Sequence, residues 1–163
     1  MVKELKEQVL FFLKSKYFTV SLLLAAVLGY GYELSHSTLG VDDACIELYF
    51  GESLGLAIGR WPFYLINRIF HVAEYTPVFL DLIAVLFLIA AAVLWCGLIR
   101  YIVKKELPMT AYIVFAAMFL DYSLIAEVFI FILQNGVPMI YCLIAAALFF
   151  LYYIMYWQGK SII

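Results

Sequence analysis

The chain has few charges. Only 13% of its 163 residues are Asp, Glu, Lys or Arg, whereas 67% are hydrophobic. A soluble domain has about 25% charged and about 45–50% apolar residues. The net charge of −2 says little about partners, but the lack of a basic cluster argues against a nucleic acid as partner. The mean hydropathy of +1.04 is typical of a protein embedded in membrane lipids. We therefore predict an all-α integral membrane protein.

Cysteine and histidine are also scarce. The three cysteines, Cys45, Cys96 and Cys142, show no C-x-x-C spacing, so neither a disulfide framework nor a zinc site is indicated. His36 and His71 have no second metal ligand one helical turn away. We expect no metal site built from these residues and no organic cofactor.

Four apolar segments are long enough to cross a bilayer core of about 30 Å as helices. They are residues 17–34, 78–101, 109–133 and 137–157. No A-x-A-like cleavage site follows the first segment, which indicates a retained helix rather than a signal peptide. We predict one membrane domain over 1–163 with four transmembrane helices, preceded by a cytoplasmic surface helix within 1–16. The apolar residues of that surface helix recur at helical spacing: Val2, Leu5, Val9 and Phe12.

The distribution of basic residues predicts the orientation of the helices. Lys and Arg near helix ends mark the cytoplasmic side. They are concentrated in residues 1–16, in the link between the second and third segments, and in the tail. Both termini are therefore predicted to be cytoplasmic, in a multi-pass protein. The long loop 35–77, which is rich in acidic residues, is predicted to be external.

The external loop shows helical periodicity, so we expect two in-plane amphipathic helices at the membrane surface. Asp42 is a suitable N-cap, and Asp43 then lies in the first turn, where the helix dipole favours a carboxylate. Pro62 is a suitable first residue for the second helix. A purely structural role for these aspartates stays open on this pattern alone. Arg60 is also compatible with binding to lipid phosphate or with an ion pair to Glu52, and Trp61 with the role of an interfacial aromatic.

The loop string SHSTLGVDDACIELYFGESLGLAIGRWPFYLINRIF resembles the start of the bacterial GtrII-type glucosyltransferase family. Members of that family are membrane enzymes of the GT-C class that decorate O-antigen lipopolysaccharide and other surface polysaccharides. The residues that carry the likeness are Gly40, Asp42, Asp43, Gly59, Arg60 and Trp61. The order of a first helix, an acidic external loop and further helices is similar to a GT-C N-terminal module.

The resemblance implies inverting transfer of a glycosyl group, expected to be glucosyl, from a polyprenyl-phosphate sugar to a polysaccharide acceptor. It places the protein in the bacterial inner (cytoplasmic) membrane, with the reaction at the outer face. Asp42 or Asp43 would accept the proton of the acceptor hydroxyl, and Arg60 would bind the lipid phosphate. The further candidate substrate-binding residues are Trp61, Glu47 and Glu127. A divalent cation between the acids and the phosphate stays open.

Three acids lie within the apolar segments, where a buried charge is costly and often functional. We expect Asp81, near the outer end of its helix, to reach water. Asp121 lies near the middle of segment 109–133 and Glu127 in its outer half. In one continuous helix they would lie about 240° apart and share no face.

These acids also support a rival hypothesis, a small dimeric membrane transporter or flippase subunit. A third hypothesis is a non-catalytic scaffold of four helices. Essential loop aspartates would favour glycosyl transfer, and an essential Asp121 would favour transport. If neither is essential, a scaffold is favoured.

Overall fold

The computed structural model of the chain describes residues 2–35, 68, 77–103, 107–122 and 137–160. Within these ranges it contains five helices and no strand, as the composition predicted. The helices are α1 (Val2–Leu13), α2 (Lys16–Ser35), α3 (Pro77–Val103), α4 (Met109–Leu120) and α5 (Val137–Lys160).

Two of these helices, α3 and α5, are long and apolar enough to cross a membrane. Their 27 and 24 residues correspond to about 40 and 36 Å of helix. The pair α1–α2 is bent by 78° at the break between the two helices, and it adds a third span if the pair is counted as one. These apolar helices associate the chain with a membrane, whereas the count of four spans stays a prediction.

Helix α3 is the centre of the described fold, since it packs against each of the other four helices. Its buried face is made largely of small side chains, which let neighbouring helices approach closely in lipid. The fully buried members of this face are Ala84, Leu88, Ala91, Ala92 and Cys96.

Contacts between helices define the two ends of the bundle. The Cys142 thiol of α5 donates to the Phe87 carbonyl of α3 at 2.9 Å, and the Tyr101 and Phe149 rings stack at 4.7 Å. Helices α3 and α5 therefore run in the same direction. The end at which α2 begins and α3 and α5 end carries Lys16 and is called the basic end. The opposite end, from which residues 36–76 depart, is called the loop end.

Helix α1 has the predicted amphipathic character. Phe12 is fully buried, and its ring contacts those of Phe18 and Tyr112 at 4.9 Å. Lys3 and Lys6 are exposed on the opposite face. The apolar face of α1 thus packs on protein, at the basic end of the bundle.

A polar contact also joins α1 to α3. The Arg100 guanidinium donates a hydrogen bond to Oε1 of Gln8. Its Cζ also lies 3.8 Å from the centre of the Phe11 ring, a cation–π distance. Gly97 lies one turn away and allows α1 to approach, since a Cβ there would stand 3.4 Å from the Gln8 Cβ. Arg100 therefore fastens the surface helix to the bundle.

Helix α4 differs from the prediction of one continuous helix over 109–133, because it ends at Leu120. Asp121 is its C-cap, with φ −90° and ψ 16°, and the Asp121 N–H closes the last turn on the Ala117 carbonyl at 2.9 Å. The break occurs where the first carboxylate interrupts the apolar run. Residues 123–136 lie outside the described residues.

Candidate functional site

Most of the candidate site residues predicted from sequence lie outside the described residues. They are Asp42, Asp43, Glu47, Arg60, Trp61 and Glu127. The described helices fix the two points between which the loop runs, since α2 ends at Ser35 and α3 begins at Pro77 at the loop end. The chemical roles assigned to these residues therefore stay predictions.

Asp81 is the buried acid of the described part of the chain. The prediction that it reaches water is wrong, because its side chain is only 5% exposed. It lies one turn inside α3, on the face that also carries Ala84 and Leu88. The three residues share one face of the helix at i, i+3, i+7 spacing, but α3 is apolar on all sides, so the sequence did not indicate which face is buried. The Asp81 carboxyl group is thus enclosed by protein at the loop end.

A polar junction that sequence reasoning missed joins α2 to the end of α4. It consists of Gly29, Tyr30, Leu120 and Asp121, and we call it the α2–α4 junction. The Tyr30 hydroxyl donates a hydrogen bond to the Leu120 carbonyl, and the Tyr30 side chain is 1% exposed. The last carbonyls of a helix have no partner within the helix. Tyr30 therefore satisfies a backbone acceptor that lipid could not satisfy.

The Asp121 carboxylate lies directly against the backbone of α2 at Gly29. A Cβ on Gly29 would overlap Oδ1 of Asp121 and stand 3.6 Å from its Cγ. Any other residue at position 29 would therefore displace the carboxylate. Asp121 and its neighbour Tyr122 are nevertheless exposed at the surface of the fold. The junction thus holds a carboxylate at the protein surface, at a helix break.

The predicted relation between Asp121 and Glu127 stays a prediction, because Glu127 lies outside the described residues. Their 240° separation assumed a continuous helix, and α4 ends before either residue. The sequence gives little indication of the junction, because Tyr30 and Leu120 are 90 residues apart. The only local hint is the glycine before Tyr30.

Chemically, the described part of the site offers hydrogen-bond acceptors. Among the described residues, no group of three or more His, Cys, Asp or Glu side chains is arranged to hold a metal ion. The lysines and arginines of α1–α5 lie toward the basic end. An exposed carboxylate such as Asp121 accepts hydrogen bonds from hydroxyl groups, and this is the chemistry that the α2–α4 junction provides.

Residues 31–162 match a protein-family model described as glucosyl transferase GtrII. The match covers most of the chain and includes every candidate site residue named above. It also includes Asp81, Leu120 and Asp121, whereas Gly29 and Tyr30 lie just before it. No curated protein and no solved structure matches the chain.

Proposed function

The chain belongs to the GtrII glucosyl transferase family, and from this premise we propose that it transfers glucose from a polyprenyl phosphate to a cell-surface polysaccharide such as O-antigen. The observation that carries this proposal is the family match over residues 31–162. Membrane-crossing helices support it, because a lipid-linked donor requires an enzyme at the bilayer.

In this proposal, an aspartate of the loop activates the acceptor. Asp42 or Asp43 takes the proton of an acceptor hydroxyl, whose oxygen attacks the anomeric carbon of the sugar. The bond from that carbon to the phosphate oxygen breaks as the new glycosidic bond forms. Attack from the face opposite the leaving phosphate inverts the anomeric configuration, as in GT-C enzymes.

The leaving polyprenyl phosphate gains negative charge as the bond breaks. Arg60 is suited to stabilise it, because the planar guanidinium can donate two parallel hydrogen bonds to phosphate oxygens. Trp61, Glu47 and Glu127 are assigned to substrate binding. A divalent cation shared by the aspartates and the phosphate is a variant of this scheme, and removal of divalent cations with a chelator tests it.

The proposed location is the bacterial inner membrane. Four spans place both termini in the cytoplasm and the loop 35–77 at the outer face, where polysaccharide acceptors are found. The basic end of the described bundle then faces the cytoplasm, consistent with the side on which Lys and Arg accumulate.

A dimeric transporter or flippase is the second candidate, and the break after Leu120 favours it. Broken helices near the membrane midplane are typical of transporter binding sites. The two functions differ in product: a flippase moves the lipid-linked sugar across the membrane intact, whereas a transferase yields glycosylated polysaccharide and free polyprenyl phosphate.

The test is transfer of radiolabelled glucose from polyprenyl-phosphate glucose to polysaccharide, in membranes that contain the wild-type chain, Asp42→Asn or Asp43→Asn. Loss of a general base costs about 10²–10⁴-fold in rate, so at least one variant should fall by that factor. The asparagines keep the shape of the side chains, and both variants should insert into the membrane at wild-type levels. Normal transfer by both variants would contradict the assignment of the base.

The role of Arg60 is tested by the KM for the lipid-linked sugar donor. Arg60→Ala should raise the KM for polyprenyl-phosphate glucose, and Arg60→Lys should restore only part of the affinity because it lacks the bidentate fork. The control is Arg68→Ala, which changes an exposed arginine that has no assigned role. An unchanged KM in Arg60→Ala would mean that Arg60 only anchors the loop at the interface.

A further inference from the structure

Helix α4 stops well before it could cross a bilayer. Its 12 residues cover about 18 Å, whereas the hydrocarbon core is about 30 Å thick. Measured from a membrane boundary at the start of α4, the helix ends about 12 Å before the opposite boundary. The ring contact between Phe119 and Tyr141 at 6.0 Å places the end of α4 beside the first turns of α5, in agreement with this depth.

Lipid is an unsuitable neighbour for this position. Asp121 is exposed at the surface of the fold, and the helix ends there. Non-helical backbone at membrane depth occurs only within protein or beside a water-filled cavity, and a carboxylate facing lipid is strongly disfavoured. No lysine or arginine of α1–α5 lies at this level, because they lie toward the basic end.

The end of α4 is held by specific features of α2. The Leu120 carbonyl is satisfied by the buried Tyr30 hydroxyl, and Gly29 leaves the space that the Asp121 carboxylate occupies. The hydrogen bond thus holds the end of α4 on α2, and Gly29 leaves room for the Asp121 carboxylate, which is exposed at the surface of the fold.

We propose that Asp121 lines a water-filled recess that opens at the loop end and binds the hydroxyl groups of a sugar substrate. The recess explains how an exposed carboxylate is tolerated inside the membrane. The choice of ligand rests on the proposed glycosyl transfer, because a carboxylate accepts hydrogen bonds from sugar hydroxyls. The sugar belongs either to the lipid-linked donor or to the polysaccharide acceptor.

The recess is tested by thiol labelling of the full chain in sealed vesicles. Tyr122→Cys, at a position that is 54% exposed next to Asp121, is the reporter. Leu28→Cys is the control, at a position that is 83% exposed on α2, one residue from Gly29 and at the same depth. Both carry Cys45→Ser, and the labelling of that parent chain is subtracted.

A membrane-impermeant thiol reagent should label Tyr122→Cys from the loop side at least about tenfold faster than Leu28→Cys, because the reactive thiolate forms in water and not in lipid. Equal labelling of the two positions, or labelling of Tyr122→Cys only from the basic end, would overturn the recess.

The ligand is tested by protection of the reporter. Polyprenyl-phosphate glucose or the acceptor polysaccharide should slow the labelling of Tyr122→Cys, and the protecting compound identifies the source of the sugar. Polyprenyl phosphate without glucose is the matched control. If this control protects as well as the glucosylated lipid, or if no compound protects, sugar binding at Asp121 is refuted.

Addition of Asp121→Ala to the reporter should raise the half-protecting concentration about ten- to a hundredfold, the effect of losing a hydrogen bond to a charged group. Addition of Asp42→Asn and Asp43→Asn together should abolish transfer and leave protection intact. Protection without transfer in the wild-type chain would therefore contradict the proposed function while supporting the recess. If the wild-type chain transfers glucose but Asp121→Ala leaves protection unchanged, the proposed function is supported and sugar binding at Asp121 is contradicted.

Discussion

Removal of the Tyr30 hydroxyl tests the α2–α4 junction most simply. Tyr30→Phe keeps the buried ring and deletes only the donor to the Leu120 carbonyl. That carbonyl belongs to the last turn of α4 and has no partner within the helix. The substitution therefore removes the hydrogen bond to the Leu120 carbonyl, at a side chain that is buried in the fold.

Two known energies limit the expected loss in the free energy of unfolding. A buried polar group left without a partner costs about 1–3 kcal/mol, whereas hydrogen bonds between membrane helices average about 0.6 and reach about 1.7 kcal/mol. A backbone acceptor at a helix end has few alternative partners, so we expect a value near the top of the membrane range, about 1–2 kcal/mol. In a chain of this length that corresponds to a fall in Tm of about 2–8 °C.

The assay is thermal unfolding of the purified chain in detergent, followed by loss of helical circular dichroism. Tyr17→Phe is the matched control, because this tyrosine is 81% exposed on the same helix. Its Tm should stay close to that of the wild type, since exposed substitutions usually change stability by less than about 0.5 kcal/mol. If Tyr30→Phe unfolds at the same temperature as Tyr17→Phe, the junction does not stabilise the fold.

Two further predictions concern α2 and α1. Gly29→Ala should displace the Asp121 carboxylate and abolish sugar protection at the loop end with little loss of stability, because a flexible side-chain end can move and alanine favours a helix by up to about 1 kcal/mol. Gly31→Ala, whose new Cβ would make only an ordinary contact at 3.7 Å, should retain protection, and loss in both variants would contradict the geometry. Arg100→Ala should lower the free energy of unfolding by about 1–3 kcal/mol through loss of its hydrogen bond to Gln8, which chemical denaturation in detergent measures.

Much of the helical framework could be predicted from sequence. Apolar length and helical spacing placed α2, α3 and α5 within three residues of their observed bounds, since long apolar runs have few alternatives to a helix in lipid. The spacing of Val9 and Phe12 also identified the apolar face of α1, although the structure packs this face on the bundle. The family could likewise be identified, because the resemblance depends on a short local string.

The remaining features depend on contacts distant in sequence. The end of α4 at Leu120 could not be predicted from the local sequence, because the Tyr30 hydroxyl that donates to the Leu120 carbonyl lies 90 residues earlier in the chain. The burial of Asp81 required knowledge of which face of α3 meets other helices. Hydropathy describes each segment separately, so it predicted the long apolar helices and missed the contacts between them.

The central claim is that this chain transfers a sugar from a lipid phosphate by means of a loop aspartate. The most direct measurement compares the wild-type chain with the double variant Asp42→Asn/Asp43→Asn in vesicles that contain polyprenyl-phosphate glucose labelled in the sugar, with polysaccharide present on the loop side. We expect the label to move to the polysaccharide in the wild type and to stay on the lipid in the double variant. Equal transfer by the two proteins, or movement of the intact labelled lipid across the membrane without transfer, would contradict the claim.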